Sequence, residues 1–338
     1  MTEIDVDIPF APDLPVVRSR AVDGATFVLD VPETIPVIWG DSGGVLWAKG
    51  EGLMIVGPDG VGKTSLAQQL VLARLGVRAG LLGMDVEEAA GRVLYIAGDR
   101  PRQAASSLRR MVTLPKDEDK LRERLVVWKG PLEFEITKTA QRLREFADSI
   151  GEVSDVVVDS LKDLTPDLVK DDVGSRVNMA FQELVASGYE LLVLHHQRKE
   201  MQGATKPRRL SDVYGSRWLT AGMGSVLLLW GEPGDLVVEL KHLKQPEGEI
   251  GPFNVLHDHG RGTSTVHERI DLLKALARST HGLTVADAAL LLFETTSPSR
   301  NETEKARRRL NGLAESGRAS RHDDPDGLAR YFDPHKTP

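Results

Sequence analysis

The chain has 338 residues, of which 41% are hydrophobic and 28% charged, with a formal net charge of −7. Such a composition suits one large soluble core with a small second module, and the acidic balance excludes an indiscriminately basic nucleic-acid coat, so that any contact with DNA falls to particular loops. The absence of cysteine excludes a disulfide framework, a thiolate zinc site and a cysteine nucleophile, and it fits a reducing cytoplasm.

In chain order, the opening "MTEIDVDIPFAPDLP" is acidic and punctuated by proline, and no run approaches the roughly 18 apolar residues of a spanning helix. The expected setting is therefore cytoplasmic, with neither export nor a membrane. Residues 1–45 read as a segment of short strands and turns, "ATFVLDVPETIPVIWGDSGGVLW", in which Trp39 and Trp47 either fill the core or pack beside a base. Over residues 46–266, apolar runs alternate with helical patterns: "LMIVG", "RVLYIAG", "RLVVWKG", "DVVVDS", "ELLVLHH", "SVLLLWG" and "LVVELKHL". Continuous Val/Leu/Ile strands separated by helices predict an α/β core with a mostly parallel sheet covered on both faces. The last two runs, joined by "EPGD", predict a hairpin at its edge.

The strongest local signal follows the first of these strands. Gly57-Pro58-Asp59-Gly60-Val61-Gly62-Lys63-Thr64 matches G-x-x-x-x-G-K-[ST] between a strand and the helical pattern beginning at Ser65. Glycines let backbone N–H groups turn inward around a β-phosphate, and the helix N-terminus adds partial positive charge. Lys63 reaches the β- and γ-phosphates of ATP and Thr64 offers a hydroxyl to Mg²⁺. A second carboxylate is expected at the end of a neighbouring strand, and Asp159, closing "SDVVVDS", is the candidate metal residue; its alternative is a turn cap. Asp99, closing "VLYIAGD", is a rival for that role or the N-cap of "RPRQAASSLRRM".

Taken together, "GEGLMIVGPDGVGKTSLAQQL", "VLYIAGDRPRQAASSLRRM", "VVVDSLKD" and "LLVLHHQRK" resemble the RecA-like ATPases of superfamily 4. The resemblance is to plasmid RepA-type hexameric replicative helicases and AAA family ATPases of actinobacterial mobile elements, over residues 36–266. It implies a RecA-like P-loop NTPase core and a homo-oligomer, with a hexamer favoured. It also puts Asp99 where the family's catalytic glutamate polarises the attacking water, although aspartate is one methylene shorter and must act from nearer or through another water. His195 and His196 fall where a polar residue senses the γ-phosphate. Lys241 and Lys244 fall near a cation that completes the neighbouring subunit's site, although a lysine there equally guards a sheet edge.

Two loops follow these strands. "QRKEMQGATKPRRLSDVYGS" is long and polar and carries Arg198, Lys199, Lys206, Arg208 and Arg209; in the resembling rings it and "LKDLTPDLVKDDVGS" face a central channel. Such a loop suits the phosphate backbone of a single strand, held by charge, or is simply solvated. Residues 267–338 read as a winged-helix domain, with Thr284 as one helix cap and Asn301/Glu304 as a capping-box-like pair. Its third helix clusters Lys305, Arg307, Arg308 and Arg309 and reads DNA or docks a protein.

The resulting expectation is an ATP- and Mg²⁺-dependent DNA helicase or translocase acting in replication. Its partners would be single-stranded or duplex DNA and replication proteins. An ATPase switch, or a DNA-binding regulator that unwinds nothing, is the alternative.

Overall fold

The computed structural model describes residues 21–32, 34–41, 44–197, 206–248, 250–267, 272–293, 296–323 and 328–336. The chain divides into two compact units, Met1–Thr265 and Val266–Pro338.

The first element among the described residues of this unit is a helix that the strand-and-turn expectation missed, Gly24–Leu29, started by the Asp23 carboxylate accepting from the N–H groups of Ala25 and Thr26 at 2.9 and 3.0 Å. Strands β1 (Val37–Asp41) and β2 (Gly44–Ala48) then pair antiparallel with Trp39 opposite Trp47. Both indoles are buried, and their N–H groups donate to the carbonyls of Leu81 at 3.1 Å and Glu51 at 2.7 Å. A buried indole with its one donor satisfied is core material, so neither ring is free to stack on a base.

Strand β3 (Gly52–Gly57) is buried throughout and feeds the helix Lys63–Arg74. A short hairpin, β4 (Gly80–Leu81) and β5 (Met84–Asp85), precedes β6 (Arg92–Ala97), the helices Pro101–Met111 and Glu118–Arg124, and β7 (Leu125–Lys129). The helix Arg142–Ile150 leads to β8 (Val153–Asp159), and the helix Asp171–Ala186 leads to β9 (Glu190–His196). The last elements of this unit are β10 (Met223–Trp230), β11 (Val237–Lys244), β12 (Phe253–Asp258) and β13 (Thr263–Val266).

Among the described residues these strands form a nine-stranded sheet in the order β13-β12-β11-β10-β3-β9-β8-β6-β7. Pairing is parallel from β10 through β7 and antiparallel in β10–β11 and β11–β12. The "EPGD" hairpin forms as β10–β11, but β12 and β13 lie outside it, so it is not the edge of the sheet. Apolar residues of β3, β6, β8, β9 and β10 join Phe181 and Leu184 of the Asp171–Ala186 helix in one buried cluster. This is a mixed α/β unit with a large, mainly parallel central sheet, and it fits a RecA-like P-loop core. The loop expected after Asp159 is shorter than its sequence suggested, since Asp171–Ser175 already belong to that helix.

The second unit contains the helices Leu272–Arg278, Val285–Phe293 and Arg300–Glu315, with β14 (Leu283–Thr284), β15 (Ser320–Asp323) and β16 (Ala329–Phe332) in a three-stranded antiparallel sheet. Leu272, Leu276, Ala288, Ala306, Leu310 and Tyr331 build its core. Thr284 caps its helix reciprocally with Asp287, whereas the third helix starts two residues earlier than predicted. There Ser299 and Glu302 form the capping box, not Asn301 and Glu304. Among the described residues no helix is long and apolar enough to cross a membrane.

Candidate functional site

The C-terminal ends of β3, β8 and β9 meet at one place, because Gly57 pairs with His196 in register and Val158 with Val193. Between β3 and its helix the chain turns through Gly60 at φ +75° and Gly62 at φ +91°, a left-handed region that favours glycine. Gly62 is the helix N-cap and has no side-chain cap, so the first helical N–H groups are left to a ligand. Lys63 is buried and donates its ammonium to the carbonyls of Gly57 at 2.8 Å and Pro58 at 2.7 Å. Burial pulls its pKa down to about 8, against the attraction of Asp59 and Asp159. The loop thus holds a cation whose partners are neutral carbonyls, an arrangement that an anion at the same place would improve.

Asp159 lies beside this cation. The Thr64 hydroxyl donates to its Oδ1 at 3.3 Å and the buried Tyr95 hydroxyl to its Oδ2 at 2.5 Å. Burial raises the Asp159 carboxyl above its ordinary range, while those two hydrogen bonds act the other way. Burial and the same carboxylate push the Tyr95 phenol well up. The following turn is capped by Ser160, whose N–H and hydroxyl both bond Asp163 at 3.1 and 2.8 Å, so Asp159 is not a turn cap. A hydroxyl and an oriented carboxylate are the hard oxygen donors that Mg²⁺ takes when phosphate and water complete its shell, and these residues fit it. Among the described residues, no group of three or more His, Asp or Glu side chains is placed to hold a metal alone.

Successive strand residues face opposite sides, and this separates the two histidines. His196 turns to the cradle, where its Nδ1 meets the Asp59 carboxylate and its Nε2 lies 3.1 Å from Ser160 Oγ. Burial alone would raise the Asp59 carboxyl, but His196, then Lys63 and Lys162, bring it below its ordinary value. His195 turns away. It is buried, with Nε2 2.7 Å from the Tyr214 carbonyl and its ring stacked on Tyr214, and burial pulls its pKa down to about 4. The next residue, Gln197, was missed by sequence reasoning. Its N–H donates to Gly57 O at 2.8 Å, and its side chain spans Asp212 O at 3.0 Å and Tyr214 N at 2.8 Å.

Asp99 follows β6 and is half exposed, paired with Lys162 at 3.4 Å and Arg100 at 3.5 Å. It does not cap the Pro101–Met111 helix, whose N-cap is Arg100. Through Gly98, whose N–H donates to Asp159 O at 2.8 Å, Asp99 stands next to the metal candidate.

Lys241 and Lys244 spend their ammonium groups on carbonyls of their own chain, Arg208 at 3.3 Å and Ala221 at 2.9 Å. A groove of about 860 Å³ is lined by Lys206, Pro207, Arg208, Asp212, Glu239 and Lys241, together with Pro252. It brings together cations that the sequence had assigned to two different roles. Lys206 pairs with Glu239 there, and the N–H groups of Arg208 and Arg209 bond the Asp212 carboxylate at 2.8 and 2.9 Å. Arg198 and Lys199 lie outside the described residues. Lys305, Arg307 and Arg308 are exposed on the second unit, where Arg307 and Arg308 both pair with Glu304.

The family model described as an AAA domain matches residues 27–202. No curated protein matches the chain. Among solved structures, the ATPase domain of G40P is similar with a TM-score of 0.47 at 14% identity, over 65% of this chain and 86% of that one. A KaiC-like protein from Pyrococcus horikoshii OT3 is similar with a TM-score of 0.43 at 13% identity, over 65% of this chain and 91% of that one.

Proposed function

Since the chain belongs to the AAA-domain family, we propose that it is a RecA-like ATPase that hydrolyses ATP with Mg²⁺ and uses the cycle to move along or unwind DNA. The observation that carries this reading is the meeting of Lys63, the Thr64–Asp159 pair and the His196–Asp59 contact at one end of the parallel strands. In this reading Lys63 leaves the carbonyls of Gly57 and Pro58 for the β- and γ-phosphates. Thr64 and Asp159 would hold Mg²⁺, with Tyr95 fixing the carboxylate; the metal, when bound, would neutralise phosphate charge. Asp99 orients the attacking water after releasing Lys162, and His196 exchanges Asp59 or Ser160 for the γ-phosphate. Gln197, bonded both to Gly57 and to the Asp212–Tyr214 turn, carries the change to the Lys206/Arg208 groove, where a single strand would lie. Lys241 and Lys244 would serve a neighbouring subunit of a ring by first releasing their own carbonyls.

In the second unit, the order helix, strand, helix, helix, strand, strand supports a winged helix. Lys305, Arg307 and Arg308 on its third helix would then meet duplex DNA or a replication partner. The pairing of Asp99 with Lys162 and Arg100, together with its shorter side chain, favours slow turnover. It therefore supports a second reading, an ATPase switch that regulates replication without unwinding.

The test is phosphate release measured with and without single-stranded DNA, beside a strand-displacement assay. The motor predicts stimulated turnover and displacement, and the switch predicts neither. Lys63→Ala should lower turnover by roughly a hundredfold or more, because a charge that acts on the transferred phosphoryl is lost. Parent-like turnover in that variant would end the ATPase reading.

A further inference from the structure

We propose that His257 is a positioning residue that sets the direction of the Val61–Gly62 peptide in the phosphate cradle, an inference that rests on the nucleotide-site reading above. His257 lies on β12, beyond the residues matched by the AAA-domain family. The residue is 4% exposed and its ring faces the loop, with Nε2 3.2 Å from Val61 O and Nδ1 2.8 Å from Ser264 Oγ on β13. Ser264 is held in turn by Gln69 of the cradle helix. The Gln69 amide donates to Ser264 Oγ at 2.8 Å, and the Ser264 N–H donates to Gln69 Oε1 at 2.7 Å.

Donor and acceptor roles in this chain follow from its two ends. A carbonyl only accepts, so Nε2 must carry the proton that reaches Val61. Nδ1 is then bare and accepts a hydrogen bond from the Ser264 hydroxyl, whose oxygen in turn accepts from Gln69. The side-chain donors thus run from the helix through β13 and β12 back to the loop, while the Ser264 N–H returns one bond to Gln69. Burial lowers the pKa of His257, which keeps the ring in the neutral form that this wiring needs.

A trans peptide is planar with its C=O and N–H opposed. Holding Val61 O on the side of His257 therefore points the Gly62 N–H to the other side, where a phosphate cradle needs its donors. Gly62 is tied to this arrangement twice. Its φ is +91°, and a Cβ there would stand 2.7 Å from Nε2 of the ring. Glycine also leaves that peptide easy to rotate. Without the ring, the cradle would spend part of its time with the N–H turned away, and apparent affinity falls by the fraction of competent cradle.

Equilibrium binding of a fluorescent ADP, with and without Mg²⁺, tests the proposal on the full chain. His257→Ala should raise the Kd roughly tenfold, the scale of one lost hydrogen bond to a charged ligand. His257→Gln, which restores an amide N–H near the Nε2 position, should recover most of that loss. In steady-state turnover KM should rise more than kcat falls. If His257→Ala lowers the melting temperature but binds ADP like the parent, while Lys63→Ala loses binding, the ring is merely structural and the inference fails alone. If Lys63→Ala also binds like the parent, the nucleotide-site reading itself fails. Should His257→Ala not fold, Ser264→Ala decides: the ring stays but loses the donor that fixes its tautomer, so a parent-like Kd overturns the proposal and a Kd raised about threefold supports it.

Discussion

Glu190 begins β9 at the end of the sheet away from the cradle, 8% exposed, with both carboxylate oxygens accepting the Gly50 N–H at 3.0 and 3.1 Å. Burial, helped by Asp155 opposite it in register, pushes its pKa up to about 7, against the Gly50 hydrogen bond and the charges of Arg74 and Lys49. The ordinary value is 4.5, so between about 4.5 and about 7 the folded chain keeps a proton that the unfolded chain has released. Stability must fall as pH rises through that window and then level off. Glu190→Gln, a neutral isostere, should melt with the parent near pH 4.5 and above it at pH 8. A melting-temperature difference that does not change with pH would refute this. Single residues were legible in the sequence where their role is local. Lys63 and Thr64 follow directly from their spacing to the glycines, and Thr64 keeps its place beside Asp159. Tyr95 was not legible, because inside "VLYIAG" a tyrosine reads as core, and its hydroxyl acquires meaning only when β6 lies beside β8.

At the scale of elements, the contacts of Gln197, just after β9, are the link that the proposed nucleotide cycle would use. Gln197 holds Gly57 with its backbone and the Asp212–Tyr214 turn with its side chain. Gln197→Ala keeps the first contact and removes the second. In the parent, a non-hydrolysable ATP analogue should change the rate of trypsin cleavage after Arg208 and Arg209. In Gln197→Ala that dependence should disappear while ADP affinity changes less than about twofold, since the phosphate cradle is untouched. Nucleotide-dependent cleavage that persists in the variant would place the coupling elsewhere. The central parallel strands β3, β6, β8, β9 and β10 were readable because each carries an apolar run buried on both faces. β12 and β13 were not. In "FNVLHD" the inward positions are Val255 and His257, and a histidine at a buried position hides the period-two pattern on which strand reading depends.

For the whole molecule, the first unit closes its own sheet and cradle by Thr265, and the second has a separate core built on Leu276, Leu310 and Tyr331. A chain ending at residue 266 should therefore fold and bind ADP like the parent, and it should lose duplex affinity at least tenfold if the Lys305/Arg307/Arg308 helix meets phosphates. Duplex binding unchanged on truncation, measured at fixed salt, would leave that helix to a protein partner. What the sequence determined by itself was whatever is written in consecutive residues: the glycine turn with its lysine and threonine, the run of buried strands and the change of composition near residue 267. Tertiary structure alone decided which histidine faces the cradle, what orients Asp159 and what holds Val61. Those outcomes depend on contacts between residues as much as 196 positions apart. Such pairings arise from sheet order and register, which no local pattern encodes.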